Sequence, residues 1–135
     1  MLYKVRYLRN PRYEDLGDGR RVELIEDFVV WINGLRLVVP AGFVSDLASV
    51  PWLFQRVLPR FGPWNAAAIV HDYLYRTGRL GDWVLRREDA DRIMLALMRY
   101  NPEVPRWKAW VIFMGVRLGA FGPWMMYRNG GGYGV

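Results

Sequence analysis

The apolar pattern of this chain changes period once, near residue 50, and that single change limits the folds open to it. Before the change, residues 2–8 and 22–32 are rich in β-branched and aromatic side chains, and Asn33-Gly34 joins the second run to Leu35-Arg36-Leu37-Val38-Val39. Asn-Gly between two such runs predicts a hairpin, because both residues accept the positive φ of a type I′ turn. Pro40-Ala41-Gly42 ends that strand, and residues 9–20, with Asn10-Pro11 and Gly17-Asp18-Gly19, read as a polar loop. After the change, Pro51 opens a short helix through about Leu58, residues 59–63 interrupt it, and Trp64 or Asn65 begins a helix to residue 76. Gly78 and Gly81 punctuate a loop, residues 86–100 form an amphipathic helix, and Pro102 and Pro105 separate it from a last helix over 106–121. Strands and helices segregated in this way predict an α+β fold rather than alternating βαβ units. The expected arrangement is an N-terminal antiparallel sheet with its hairpin (residues 1–45), an all-helical core (46–128) holding an antiparallel helix pair, and a glycine-rich flexible tail (129–135).

A chain of 135 residues suits one domain with one core, and 53% hydrophobic residues with 7 Trp, 8 Tyr and 6 Phe supply the material for it. There is no cysteine and one histidine, which excludes disulfides and thiolate metal sites and leaves zinc without its usual ligands; calcium and magnesium remain open. The N-terminus has no apolar signal core, so no signal peptide is expected. Residues 104–126 are the most apolar stretch, but Lys108 and Arg117 interrupt it, and no membrane-spanning helix is expected. Of the net charge of +6, residues 1–45 hold seven Lys/Arg against six Asp/Glu and the remainder twelve against seven. That excess suits nucleic acid, anionic lipid headgroups or an acidic protein partner, the bland alternative being a merely basic soluble protein. The basic residues are scattered without a recognition motif, so no specific nucleic-acid binding is expected.

The one histidine, His71, lies in Ala66-Ala67-Ala68-Ile69-Val70-His71-Asp72-Tyr73-Leu74-Tyr75. On a helix, His71 and Tyr75 share a face, while Asp72 is turned by about 100°. About ten residues join this helix to the next, short enough for antiparallel packing. The end holding His71 and Tyr75 then meets the start of the second helix, where Asp91 stands. Asp91 is expected to orient His71 by accepting from one ring nitrogen, with Tyr75 on the same carboxylate, leaving the other nitrogen to act on water as general base. Asp72, pointing sideways, is left free to ligate a divalent cation. The bland alternatives are a histidine that completes the core and a helix N-cap role for Asp89 or Asp91.

Gly62-Pro63-Trp64-Asn65, the three alanines, His71-Asp72-x-x-Tyr75 and Ala90-Asp91 resemble the catalytic core of phospholipase A2, most closely the short cysteine-free form of parvovirus capsid proteins. The resemblance covers residues 61 to about 98. It implies His71 as the base, Asp72 as a calcium ligand, and Asp91 with Tyr75 as the groups orienting the histidine. Only Gly62 stands where that family has a glycine-rich calcium loop. A longer resemblance, through Val39-Pro40-Ala41-Gly42-Phe43-Val44-Ser45-Asp46-Leu47-Ala48-Ser49-Val50-Pro51, His71-Asp72-Tyr73-Leu74-Tyr75-Arg76 and Ala90-Asp91, is to uncharacterised small proteins of tailed phages and prophages. It implies a phage-encoded protein, in the virion or the host cytoplasm, with other virion proteins as partners. Ser49 reads either as a cap for the helix begun at Pro51 or, with Tyr73, as lining for the His71 pocket; Asp46 reads as a second metal ligand in place of the missing loop. Two functions stay open: a calcium-assisted, phospholipase A2-like hydrolase at a membrane surface, and a non-catalytic tail component.

Overall fold

The computed structural model describes residues 3–19, 21–46, 62–119 and 125. It has antiparallel strands first and helices after, an α+β fold. Strands β1 (Val5–Arg6), β4 (Phe28–Ile32) and β5 (Leu35–Val39) form one sheet in the order β1-β4-β5, while β2 (Tyr13–Asp15), β3 (Val22–Leu24) and β6 (Val44–Ser45) form a second in the order β2-β3-β6. Asn33 (φ 51°) and Gly34 (φ 82°) make the expected hairpin between β4 and β5, with Ile32 facing Leu35 across the turn. Alternation along β4 buries Phe28, Val30 and Ile32 and turns Val29 and Trp31 outward.

The run expected as one strand over 22–32 is broken. Glu26 and Asp27 interrupt the apolar pattern, Asp27 accepts from the Ala41 amide (2.8 Å), and the two halves enter different sheets. The polar loop expected over 9–20 contains β2, held by cross-strand pairing with β3. Among the described residues of the segment 2–8, strand pairing is confined to Val5 and Arg6, with Ile32 and Trp31. The stretch around Gly78 and Gly81 is more than a loop, so the helical core is not all helix: β7 (Arg79–Leu80) and β8 (Trp83–Val84) form a small hairpin. Both glycines have positive φ, which side chains with a Cβ resist.

Helix α1 (Asn65–Thr77) ends on Gly78, whose left-handed backbone returns its N–H to the Leu74 carbonyl (2.8 Å). Helix α2 (Arg87–Tyr100) follows, and α3 (Arg106–Gly119) packs on it. The α1/α2 pair is antiparallel. Asn101, just past α2, donates to the Pro63 carbonyl at the entry to α1 (3.1 Å), while the N-terminal half of α2 meets the C-terminal half of α1. Ala66, Ala67 and Ala68 are buried, and small side chains there let two helices approach. Asp89 caps the start of α2 from inside, accepting from the Arg86 amide (3.0 Å), so the expected capping function falls on Asp89 and not on Asp91. One buried apolar cluster runs from Val22, Val30, Ile32 and Val39 to Ile69, Leu74, Ile93, Met98 and Val116. Each such side chain contributes about 1.5–3 kcal/mol by leaving water, which fixes the helix ends that carry the polar groups. The short helix expected over 51–58 and the tail over 129–135 lie outside the described residues.

Candidate functional site

The helix pair brings His71, Tyr75 and Asp91 together. The His71 Nε2 lies 2.7 Å from Asp91 Oδ1, and the Tyr75 hydroxyl donates to the same oxygen at 2.6 Å. His71 is 3% exposed and Asp91 0% exposed. A carboxylate with no water around it is costly unless donors surround it, and here they come from three elements. Arg117 of α3 donates to Oδ2 at 2.9 Å, and Arg87 Nη1, one turn before Asp91 on α2, is 3.9 Å from that oxygen. Burial acts to raise the pKa of Asp91, but the hydrogen bond from His71 and its attraction when protonated, with the hydrogen bonds of Tyr75 and Arg117, outweigh it and hold the carboxyl below its usual range. Burial and the adjacent Asp91 charge push the Tyr75 phenol up, so it stays a donor.

An ionised Asp91 can only accept, so Nε2 must carry the proton it shares. In the neutral ring Nδ1 is then the lone-pair nitrogen. Among the described residues Nδ1 has no hydrogen-bond partner. An oriented imidazole with an uncommitted lone pair can accept a proton from water, and the ion formed is stabilised by Asp91.

Asp72 stands on the neighbouring face, as the helical spacing requires, but it is not free. Arg76, one turn on, donates through Nε to Oδ1 (3.2 Å) and Nη2 to Oδ2 (3.4 Å), and the Asp46 amide donates to Oδ2 (3.2 Å). The side chain of Ser45 also bonds it. Even so, burial first and the Asp46 carboxylate second leave the pKa of Asp72 raised. The Asp46 and Asp72 carboxylates thus lie close enough for their like charges to oppose each other. Among the described residues no group of three acidic, histidine or cysteine side chains is gathered closely enough to hold a metal ion. Tyr73 turns away from Asp91 and sets its ring edge-on against Phe43 (5.2 Å). Ser49 lies outside the described residues.

Sequence reading missed Arg117 and Arg87. Arg117 had stood out only as an interruption of an apolar stretch, although a cation in an otherwise apolar helix is itself a sign of a buried partner. Arg87 also donates to the Arg117 carbonyl (3.0 Å), tying the start of α2 to the end of α3.

An α+β domain with a buried histidine–carboxylate–tyrosine cluster between two antiparallel helices is the class that fold and site define. The chain belongs to the family described as protein of unknown function (DUF1353), whose model matches residues 22–116, a span that includes every member of the cluster except Arg117. Neither the curated proteins nor the solved structures contain a match to it. Among the described residues no helix is long and apolar enough to cross a membrane.

Proposed function

We propose that this protein is a hydrolase acting on an ester bond of a phospholipid at a membrane surface, with His71 as general base. One observation carries the reading: His71 gives Nε2 to the buried Asp91 at 2.7 Å and keeps Nδ1 unpartnered among the described residues. In the proposed step Nδ1 takes a proton from a water whose oxygen adds to the ester carbonyl. When the tetrahedral intermediate collapses, the carbon–oxygen ester bond breaks and the proton passes from Nδ1 to the departing alkoxide. Asp91 stabilises the imidazolium between these events and Tyr75 keeps the carboxylate in place. General-base action of this kind is worth about 10²- to 10⁴-fold.

Asp72 and Asp46 are the residues that would hold a calcium ion, and their oxygen donors and crowded charge suit a hard cation. Bound there, calcium would polarise the ester carbonyl. The phage or prophage origin, and a place in the virion or the host cytoplasm, belong to this proposal through the sequence resemblance.

The test is hydrolysis of a short-chain phospholipid with calcium, magnesium or manganese. Wild type is expected to be active, and His71→Ala and Asp72→Asn to lose most of that activity while remaining folded. A wild type inactive with all three ions, together with a His71→Ala variant of clearly lowered thermal stability, would assign the cluster a purely structural task.

A second reading rests on a different observation. Trp107, Trp110, Met114 and Leu118 are exposed at helical spacing along α3. An apolar stripe of this kind suits a non-catalytic component of a phage tail that packs against neighbouring virion proteins. Assembly defects in variants of that stripe, with no hydrolysis by wild type, would favour it.

A further inference from the structure

The charges of the N-terminal third nearly cancel in number, yet the fold sorts them. The strands of the β2-β3-β6 sheet carry Glu14, Asp15 and Glu23 and no cation, and those of the β1-β4-β5 sheet carry Arg6 and Arg36 and no acid. Pairing in the second of these sheets sets Arg6, Trp31 and Arg36 in one row across its three strands. Residues directly opposite each other share a face, so the row is a tryptophan between two arginines. The Arg6 guanidinium lies 4.1 Å from the centre of the Trp31 ring. Two clefts meet at Trp31, each of about 300 Å³: one includes Lys4, Arg6 and Gly34, the other Leu8, Arg9, Phe28, Val29 and Arg36.

Glu26 and Asp27 also line the second cleft, and both already have partners. Glu26 pairs with Arg12 at 3.6 Å, and Asp27 accepts from the Ala41 amide. Lys4, Arg6, Arg9 and Arg36 have no carboxylate partner among the described residues. Unpaired cations around an aromatic ring on an open sheet fit a ligand that alternates negative charges with flat rings.

We propose that this face binds single-stranded nucleic acid, with a base stacked against Trp31 and phosphates held by Lys4, Arg6, Arg9 and Arg36. Phosphate contacts carry no sequence information and every base has a ring to stack, so binding is sequence-tolerant. The face is separate from the His71 cluster, and its function does not depend on hydrolysis.

Fluorescence anisotropy with a fluorescein-labelled oligothymidylate of twenty nucleotides tests it, using the full chain at 50 mM salt and above. Binding is expected to weaken with salt with a slope near −0.7 per cation engaged, about −2.8 for all four. Arg6→Ala/Arg36→Ala should flatten that slope by about 1.4 and lower affinity more than tenfold. Trp31→Ala should lower affinity roughly tenfold with the slope unchanged, and Trp31→Phe should restore most of it, which separates stacking from loss of fold. Arg79→Ala/Arg99→Ala, the same change of charge elsewhere, should bind as wild type. The proposal is overturned by absence of binding at 50 mM salt, by equal loss in both double variants, or by a folded Trp31→Ala of wild-type affinity. It is likewise overturned if a sulfated glycan binds as tightly and loses as much in Trp31→Ala, which would make the occupant a polysaccharide.

Discussion

Asp91 and Asp72 are both buried, both touch helix α1 and both have an arginine on them, yet their surroundings drive them in opposite directions. Asp91 collects hydrogen bonds from His71, Tyr75 and Arg117, and its pKa falls despite burial. Asp72 has Arg76 but also faces Asp46, and its pKa rises. Burial alone therefore does not determine what a carboxylate does; the balance of donors and like charges around it does. Asp91 is held ionised against one ring nitrogen, whereas Asp72 is held beside a like charge that disfavours its ionised form.

Removing Asp91 should break this comparison most severely. Asp91→Ala leaves Arg117 half buried without its carboxylate and is expected to cost about 3–5 kcal/mol in denaturant unfolding. The acid limb of stability should change with it. The folded-state pKa of Asp91 lies below the ordinary 3.8, so its contribution is fully present above that value and is lost as pH falls through the lower, folded-state one. Asp91→Asn should flatten the stability–pH curve in that window. Asp72 has the opposite sign: its ionised form weakens the fold, and the cost is relieved as pH falls through its raised pKa.

Arg117→Met should cost about 1.5–3 kcal/mol, the range for a hydrogen bond to a charged group, and the loss should shrink once Asp91 is protonated. Tyr75→Phe removes one donor from Oδ1 and keeps the ring, so a thermal melt should show a loss of about 0.5–1.5 kcal/mol. Asp72→Asn should change stability least, within about 1 kcal/mol, because the lost Arg76 pair and the relieved Asp46 repulsion offset each other. A larger loss in Asp72→Asn than in Asp91→Ala would reverse the assignment of the two carboxylates.

The same contrast marks what could be read in the sequence. The meeting of His71, Tyr75 and Asp91 follows from i,i+4 spacing and a short connection between helices, both local properties. The hairpin at Asn33-Gly34 was legible for the same reason, since the two residues alone set the turn. Arg117 was not, because it reaches Asp91 through the packing of a third helix 26 residues away. Nor was the engagement of Asp72, which depends on β6 bringing the Asp46 amide and Ser45 against α1. The split of residues 22–32 was missed because Glu26-Asp27 is a weak break beside the strong apolar runs around it, and pairing with β6 and β5 decides where each half goes.

Because the chain has one histidine, its imidazole gives a single set of ring signals in ¹⁵N NMR, and that spectrum tests most directly whether Asp91 prepares His71 as a base. With the ring neutral, Nε2 is expected to carry a strongly downfield proton and Nδ1 none, the pattern being lost in Asp91→Ala. A proton on Nδ1, or two nitrogens averaged by free exchange in the wild type, would contradict it.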